Sequence, residues 1–281
     1  MAIHPALQSL ALNASPLRIQ PGADLGVPAG LTSLALGGLP ERGLPPQVTR
    51  LTRLRRLQLV GASCGPQGFQ LLPQLAGSLE RLVLQYLSSL PPASAVAPLS
   101  SLRTLHLRDS VRRSTVEAAS GLLAAAPQLT ELALAYSSAS EAAPLPATGL
   151  ACLSRLEAFS LGWEAAAAAS EGPELPQGPW LGSLQRMQAP AGMLEASVDA
   201  LQAGASKLKC LAIPGLDPGR PQHQQLLQRL AAALPALQRV CTDAPPTEGW
   251  EDALEGARLL RPGLSLVSVT DLPAEVLSED P

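Results

Sequence analysis

Large rings are nearly missing from this chain: three tryptophans, two tyrosines and two phenylalanines make up 2% of 281 residues. Aromatic side chains dominate most globular interiors, so this core has to be assembled from Leu, Ala and Val in many small layers. Lysine occurs only at Lys207 and Lys209 and asparagine only at Asn13, which reads as the codon bias of a GC-rich genome and makes arginine the default cation. No stretch approaches the ~18 apolar residues of a membrane span. The start, MAIHPALQSLALNAS, lacks the basic region and apolar run of a signal peptide. The expectation is a soluble, intracellular, cytoplasmic chain without a membrane partner.

Groups that carry chemistry are equally scarce. The four cysteines, Cys64, Cys152, Cys210 and Cys241, form no CxxC pair and no Cys/His cluster of metal-ligand spacing. Reduced thiols and no metal site are expected. The three histidines, His4, His106 and His223, show no spacing relation to a cysteine or a carboxylate pair and read as exposed polar residues. The glycine cluster GASCGPQG, 61 to 68, lacks the Lys-Ser/Thr ending of a phosphate loop and the spacing of a dinucleotide fingerprint, so it reads as a turn. Catalytic residues and cofactors are therefore not expected. A net charge of −3 gives no overall electrostatic reason to bind nucleic acid.

What the chain does contain is a recurring hexapeptide. Hydrophobic residues at 46% are enough for a continuous core, and 28 prolines and 23 glycines call for frequent turns. The pattern Leu-x-x-Leu-x-Leu appears as LQSLAL at 7, LTSLAL at 31, LRRLQL at 54, LERLVL at 79, LRTLHL at 102 and LTELAL at 129. Degenerate copies follow as LEAFSL at 156, LQRMQA at 184, LKCLAI at 208, LQRVCT at 237 and LSLVSV at 264. Their fourth positions fall at 10, 34, 57, 82, 105, 132, 159, 187, 211, 240 and 267, with gaps of 23 to 29 residues. One such hexapeptide means little because leucine is common; eleven at near-constant spacing mark a repeat array.

Over residues 7 to 269 the chain resembles the leucine-rich repeat family. The resemblance implies an α/β solenoid, a curved horseshoe with a parallel β-sheet on its concave face and short helices or extended segments on its convex face. In a strand of period two, the leucines at the fourth and sixth positions point into the core and the residues beside them point out. Arginine can then sit between leucines, as in LTRLRRLQLVG, without burial. One domain of about eleven repeats is expected over 1–270, with an acidic C-terminal tail at 271–281. EAAAAASEGPELPQGPW, 164 to 180, reads as a surface insertion loop.

Connectors divide the array. Up to residue 105 they are short and proline-rich, leaving room for extended or one-turn helical backbone, which resembles the plant-type subclass. From residue 114 on, STVEAASGLLAAA, EASVDALQAGA, PQHQQLLQRLAAAL and TEGWEDALEGARLL carry apolar residues at helical spacing. These are similar to the ribonuclease-inhibitor-like or F-box-associated subclass. The chain departs from the family at the ninth position, normally Asn or Cys, which here holds Ser15, Leu39, Ala62, Leu87, Ser110, Ser137 and Glu164. No asparagine ladder is available at the strand-to-loop bend, so serines and water have to satisfy those backbone groups. Terminal repeats need polar caps, and residues 1 to 6 ahead of LQSLAL offer no capping helix, so the first repeat is expected either to be exposed or to be covered by an N-terminal partner segment.

Outward strand positions supply the candidate binding surface. Reading across repeats three to five gives Arg56, Gln58, Arg81, Gln85, His106 and Arg108, with Glu131 next, and the later repeats add Arg186, Gln188 and Arg239. This is a basic, hydrogen-bonding stripe on an acidic protein. It is either a site for an acidic segment of a protein partner or a solvated strand face. It lacks the aromatic residues that stack bases. The resulting expectation is a monomeric, non-catalytic interaction scaffold. A substrate-recognition subunit of an SCF-type ubiquitin ligase is the alternative, one that needs an F-box which residues 1 to 6 cannot supply. A regulator of a small GTPase, or of a flagellar or cytoskeletal assembly such as the cilium axoneme, is a third class compatible with the fold.

Overall fold

The computed structural model describes residues 7–12, 28–37, 48, 50–61, 69, 72–87, 89–91, 96, 98–109, 111, 115–136, 145–163, 174–244 and 250–268. The tail at 271–281, His4, Cys64 and every ninth-position residue except Leu87 lie outside them. The chain divides into two compact units, one holding the strands up to Tyr136, the other those from Ser154 onward.

In the first unit, strands β1 (Ser9–Leu12), β2 (Ser33–Gly37), β3 (Arg56–Val60), β4 (Arg81–Gln85), β5 (Thr104–Arg108) and β6 (Glu131–Tyr136) lie side by side in sequence order. Every neighbouring pair is parallel, and Leu10, Leu34, Leu57, Leu82, Leu105 and Leu132 form one row across the sheet. The alternation predicted from the hexapeptide holds: Leu57 and Leu59 are buried while Arg56 is exposed and Gln58 half-buried. Entry into each strand is fixed by a shared acceptor. Arg55 and Arg56 N–H both donate to Thr32 O, Glu80 and Arg81 to Arg55 O, Arg103 and Thr104 to Glu80 O, and Thr130 and Glu131 to Arg103 O. Among the described residues this unit also holds the helices α1 (Leu72–Leu75), α2 (Val116–Ala124) and α3 (Ala147–Leu150). At Gly149 a Cβ would lie 2.7 Å from the backbone of Ser120, so α3 packs on α2 at a distance only glycine allows.

The bend out of β3, β4 and β5 has its own device. At the eighth position of successive repeats Gly61, Tyr86 and Asp109 adopt φ of 61°, 56° and 50°. Their N–H groups donate to Gln85 O, Arg108 O and Ala135 O of the following repeat. A left-handed turn therefore satisfies backbone groups where an asparagine ladder was missing, and Leu87 at the ninth position is buried instead.

The second unit repeats the scheme with β7 (Ala158–Trp163), β8 (Arg186–Gln188), β9 (Cys210–Ala212), β10 (Arg239–Thr242) and β11 (Ser265–Ser268), again parallel and in sequence order. Its helices are α4 (Trp180–Ser183), α5 (Ala191–Gly204), α6 (Pro221–Ala233) and α7 (Trp250–Leu260). The four longer helical segments predicted from the connectors all form, as α2, α5, α6 and α7. Pro221 opens α6, where a missing N–H costs nothing. Helix α7 carries Glu251 and Asp252 in its first turn and Arg258 in its last, matching the helix dipole. No helix among the described residues is long and apolar enough to cross a membrane.

Two expectations are corrected here. Leu175 and Trp180 fall in the stretch read as a surface loop, yet both are buried. Trp180 meets Phe159 edge-on at 5.3 Å, and its indole N–H donates to Pro176 O at 3.1 Å. The last repeat is also shifted by one residue, because Val240 pairs with Leu266 rather than Val267, which is 37% exposed. The hydrogen bonds show why: after Leu237, whose N–H turns back to Leu234 O, both Gln238 and Arg239 donate to Lys209 O, whereas after Leu264, whose N–H turns back likewise to Arg261 O, Ser265 alone donates to Gln238 O. The terminal unit enters its strand one residue early, and in a strand of period two that exchanges the two faces.

Candidate functional site

The outward face of β3 to β6 is built in three rows. The first runs Arg56, Arg81, Thr104, Glu131; the second Gln58, Val83, His106, Ala133; the third Val60, Gln85, Arg108, Ala135. Neighbours within a row are separated by the ~4.8 Å strand spacing, so Arg56 and Arg81 stand side by side. All seven residues predicted for this unit face outward together.

They are not equivalent. His106 was expected to be an exposed polar residue without an acid; instead it is half-buried, and its Nε2 lies 2.9 Å from Glu131 Oε1. Burial alone would raise the Glu131 pKa, but the hydrogen bond and charge of His106, the charge of Arg81 and the Thr104 hydroxyl together hold it below the usual glutamate value. Glu131 thus offsets part of the stripe's positive charge from within. Arg55 and Glu80 pair at 3.2 Å but are largely exposed, a geometry that contributes little to stability.

Sequence reasoning passed over Tyr86. Its ring is 48% exposed, and the Arg108 guanidinium lies 5.9 Å from the ring centroid. Left-handed backbone is at home in Gly61 and tolerated by Asp109, but for a tyrosine it is an outlier costing on the order of 1–3 kcal/mol. The available signal was an aromatic residue directly after a strand in a chain with hardly any.

In the second unit, Arg186 and Arg239 also face outward, each in register with Cys210 between them. Gln188 differs from its expected role, since it is buried and its side-chain oxygen accepts from Ser160 Oγ at 3.3 Å. Cys210 and Cys241, unrelated in sequence, are brought onto neighbouring strands, Cys210 in register with Arg239 and Cys241 two residues further along β10. Hydrogen bonding from the neighbouring Cys241 thiol, with the nearby Arg239 and Arg186 charges, outweighs partial burial and draws the Cys210 pKa down to about 7, while the same partner and burial push Cys241 up. His223 lies in α6, where its Nδ1 is 2.9 Å from the Asp217 N–H. No group of three or more His, Cys, Asp or Glu able to hold a metal occurs among the described residues.

Parallel strands in strict sequence order, leucines of successive units in one row, and a helix or turn returning each time to the next strand define a leucine-rich-repeat fold. No family model matches the chain, and no curated protein does. Among solved structures it is similar to a chain in the crystal structure of the yeast Rad7 and Elc1 complex, at 14% identity over 86% of this chain and 75% of that one, with a TM-score of 0.33. It is also similar to a leucine-rich-repeat protein of Leptospira interrogans, at 14% identity over 93% of this chain and 96% of that one, with a TM-score of 0.29.

Proposed function

We propose that the chain is a non-catalytic, monomeric protein-interaction scaffold that docks an acidic segment of a partner protein on the outward face of β3 to β6. The observation that carries this reading is Tyr86 together with Arg108. A rare aromatic is held in a costly backbone conformation at the strand ends and left half in solvent beside a guanidinium. Tyrosine and arginine are the residues that most often anchor protein interfaces. The left-handed turn itself belongs to the repeat, but a tyrosine in it, rather than glycine, adds a large side chain at the strand end. Arg56 and Arg81 supply paired cations at the opposite ends of the same strands, a spacing suited to carboxylates along an extended segment. The single turn of α1 beside the 9 to 14 residues of α2, α5, α6 and α7 supports reading the early repeats as plant-type and the later ones as ribonuclease-inhibitor-like.

Affinity capture from native extract tests the proposal, comparing the wild type with an Arg56→Glu/Arg81→Glu/Arg108→Glu variant and with Tyr86→Ala. The expected result is an acidic protein retained by the wild type at low salt, weakened at high salt, and lost from both variants while their circular dichroism is unchanged. Identical recoveries from all three baits would refute the surface. Ligase scaffold subunits retained by the wild type would favour the ubiquitin-ligase reading.

A further inference from the structure

Outside that surface, the second unit holds a cleft of about 510 Å³ at the entry ends of its strands, lined by Arg186, Lys209, Cys210, Arg239, Cys241 and the single carboxylate Glu157. Cys210 stands in the middle of a row, with Arg186 on one side and Arg239 on the other. Cys241 lies two positions along β10 from Arg239, diagonal to Cys210. The Arg186 Nη1 is buried and has no hydrogen-bond partner among the described residues. A buried guanidinium donor without an acceptor is costly, and here it belongs to the lining of an open cleft whose cations outnumber its carboxylate.

We propose that Cys210 is a site of reversible thiol modification, at which its sulfur exchanges with a small disulfide that carries carboxylates. The Cys210 thiolate attacks one sulfur of the disulfide, forming a new S–S bond as the old one breaks. The other half departs as a thiolate with the bonding electron pair and takes a proton from solvent. The disulfide is the only oxidant, and the attacking proton has already left Cys210. Arg186, Arg239 and Lys209 receive the incoming carboxylates, and Cys241 donates its hydrogen bond to hold Cys210 ionised. A thiolate present near neutral pH is what such exchange needs, and the Cys210 value of about 7 lies close to the optimum for an attacking thiol. A bridge between the two cysteines themselves is disfavoured. One strand across at ~4.8 Å and two residues along at ~3.3 Å each separate the Cα atoms by about 8 Å, beyond the ~4.4–6.8 Å that a disulfide spans without backbone movement.

The test uses the wild-type chain with three probes at equal concentration at pH 7 and low salt: oxidised glutathione (anionic), hydroxyethyl disulfide (neutral) and cystamine (cationic). Peptide mapping by mass spectrometry follows each cysteine, with the exposed Cys152 as internal reference. Ionisation alone predicts that Cys210 reacts about three- to fourfold faster with the neutral probe than a free thiol of ordinary pKa near 8.5. Beyond that, Cys210 should rank the probes anionic, neutral, cationic, with the ranking collapsing at high salt and in Arg186→Gln/Arg239→Gln. Cys241→Ala should move the midpoint of Cys210 alkylation with pH upward. Because the ranking is read on the wild type, it does not depend on any variant folding. Equal rates at Cys210 and Cys152, no charge ranking, or a Cys210–Cys241 bridge as the main product would each overturn the proposal.

Discussion

Replacing Leu57 by alanine and, separately, its neighbour Arg56 by alanine puts the strand register to a quantitative test. Leu57 is 1% exposed and lies in register between Leu34 and Leu82, so truncation leaves a cavity bounded by two neighbouring repeats. Removing a fully buried leucine side chain costs about 2–5 kcal/mol. In a stacked array that loss falls on one unit and on its two interfaces. Arg56 points to solvent, and a change there should stay within about 0.5 kcal/mol. All three tryptophans lie in the second unit, so their fluorescence does not report on β3. Hydrogen exchange of peptides covering 54–60 does. At about 1.4 kcal/mol per factor of ten, Leu57→Ala should raise the opening constant of those amides by roughly 30- to several-thousand-fold, with the peptides of β2 and β4 affected alongside. Arg56→Ala should leave it within about threefold. Equal effects from the two variants, or less than about 1 kcal/mol from Leu57→Ala, would refute the claim that alternate residues enter the core.

Glu131 should make the first unit acid-sensitive. Its pKa is lower folded than unfolded, so its stabilising contribution is complete above the ordinary value of 4.5 and is lost as pH falls through the depressed one. Urea midpoints measured from pH 7 to pH 3 should therefore converge between wild type and Glu131→Gln at the acid end, and a constant difference would contradict the assignment. The corrected register of the last repeat predicts that Leu266→Lys costs roughly 1–2 kcal/mol while Val267→Lys is close to neutral in thermal melts; the reverse order would restore the unshifted hexapeptide.

Much of the fold was legible because a repeat declares itself by translation. The hexapeptide fixes both the strand and its buried side, since period two leaves one choice of face, and the four helical connectors carry their own 3.6-residue spacing. LSLVSV was misplaced by one residue because Leu264, Leu266 and Val267 allow two apolar readings, which only hydrogen bonds to the previous unit distinguish. Leu175 and Trp180 were lost in a Pro/Gly-rich stretch, where apolar spacing is too short to have a period. Within the candidate surface, the outward residues were identifiable but their pairing was not. Tyr86 carries no charge and stands one residue beyond its strand, so the charge pattern of the rows does not mark it, while Cys210 and Cys241 lie in different repeats and meet only through the pairing of β9 with β10.

The sequence by itself determined that this protein stacks parallel strands with leucines inward and arginines outward, because those are properties of one short segment repeated. Only the tertiary structure decided which outward groups hydrogen-bond to each other, as His106 and Glu131 do, which are covered, as Gln188 is, and which are left presented, as Tyr86 is. Those outcomes depend on side chains of different repeats meeting across strands about 4.8 Å apart, and on a left-handed turn that no local pattern around Tyr86 announces.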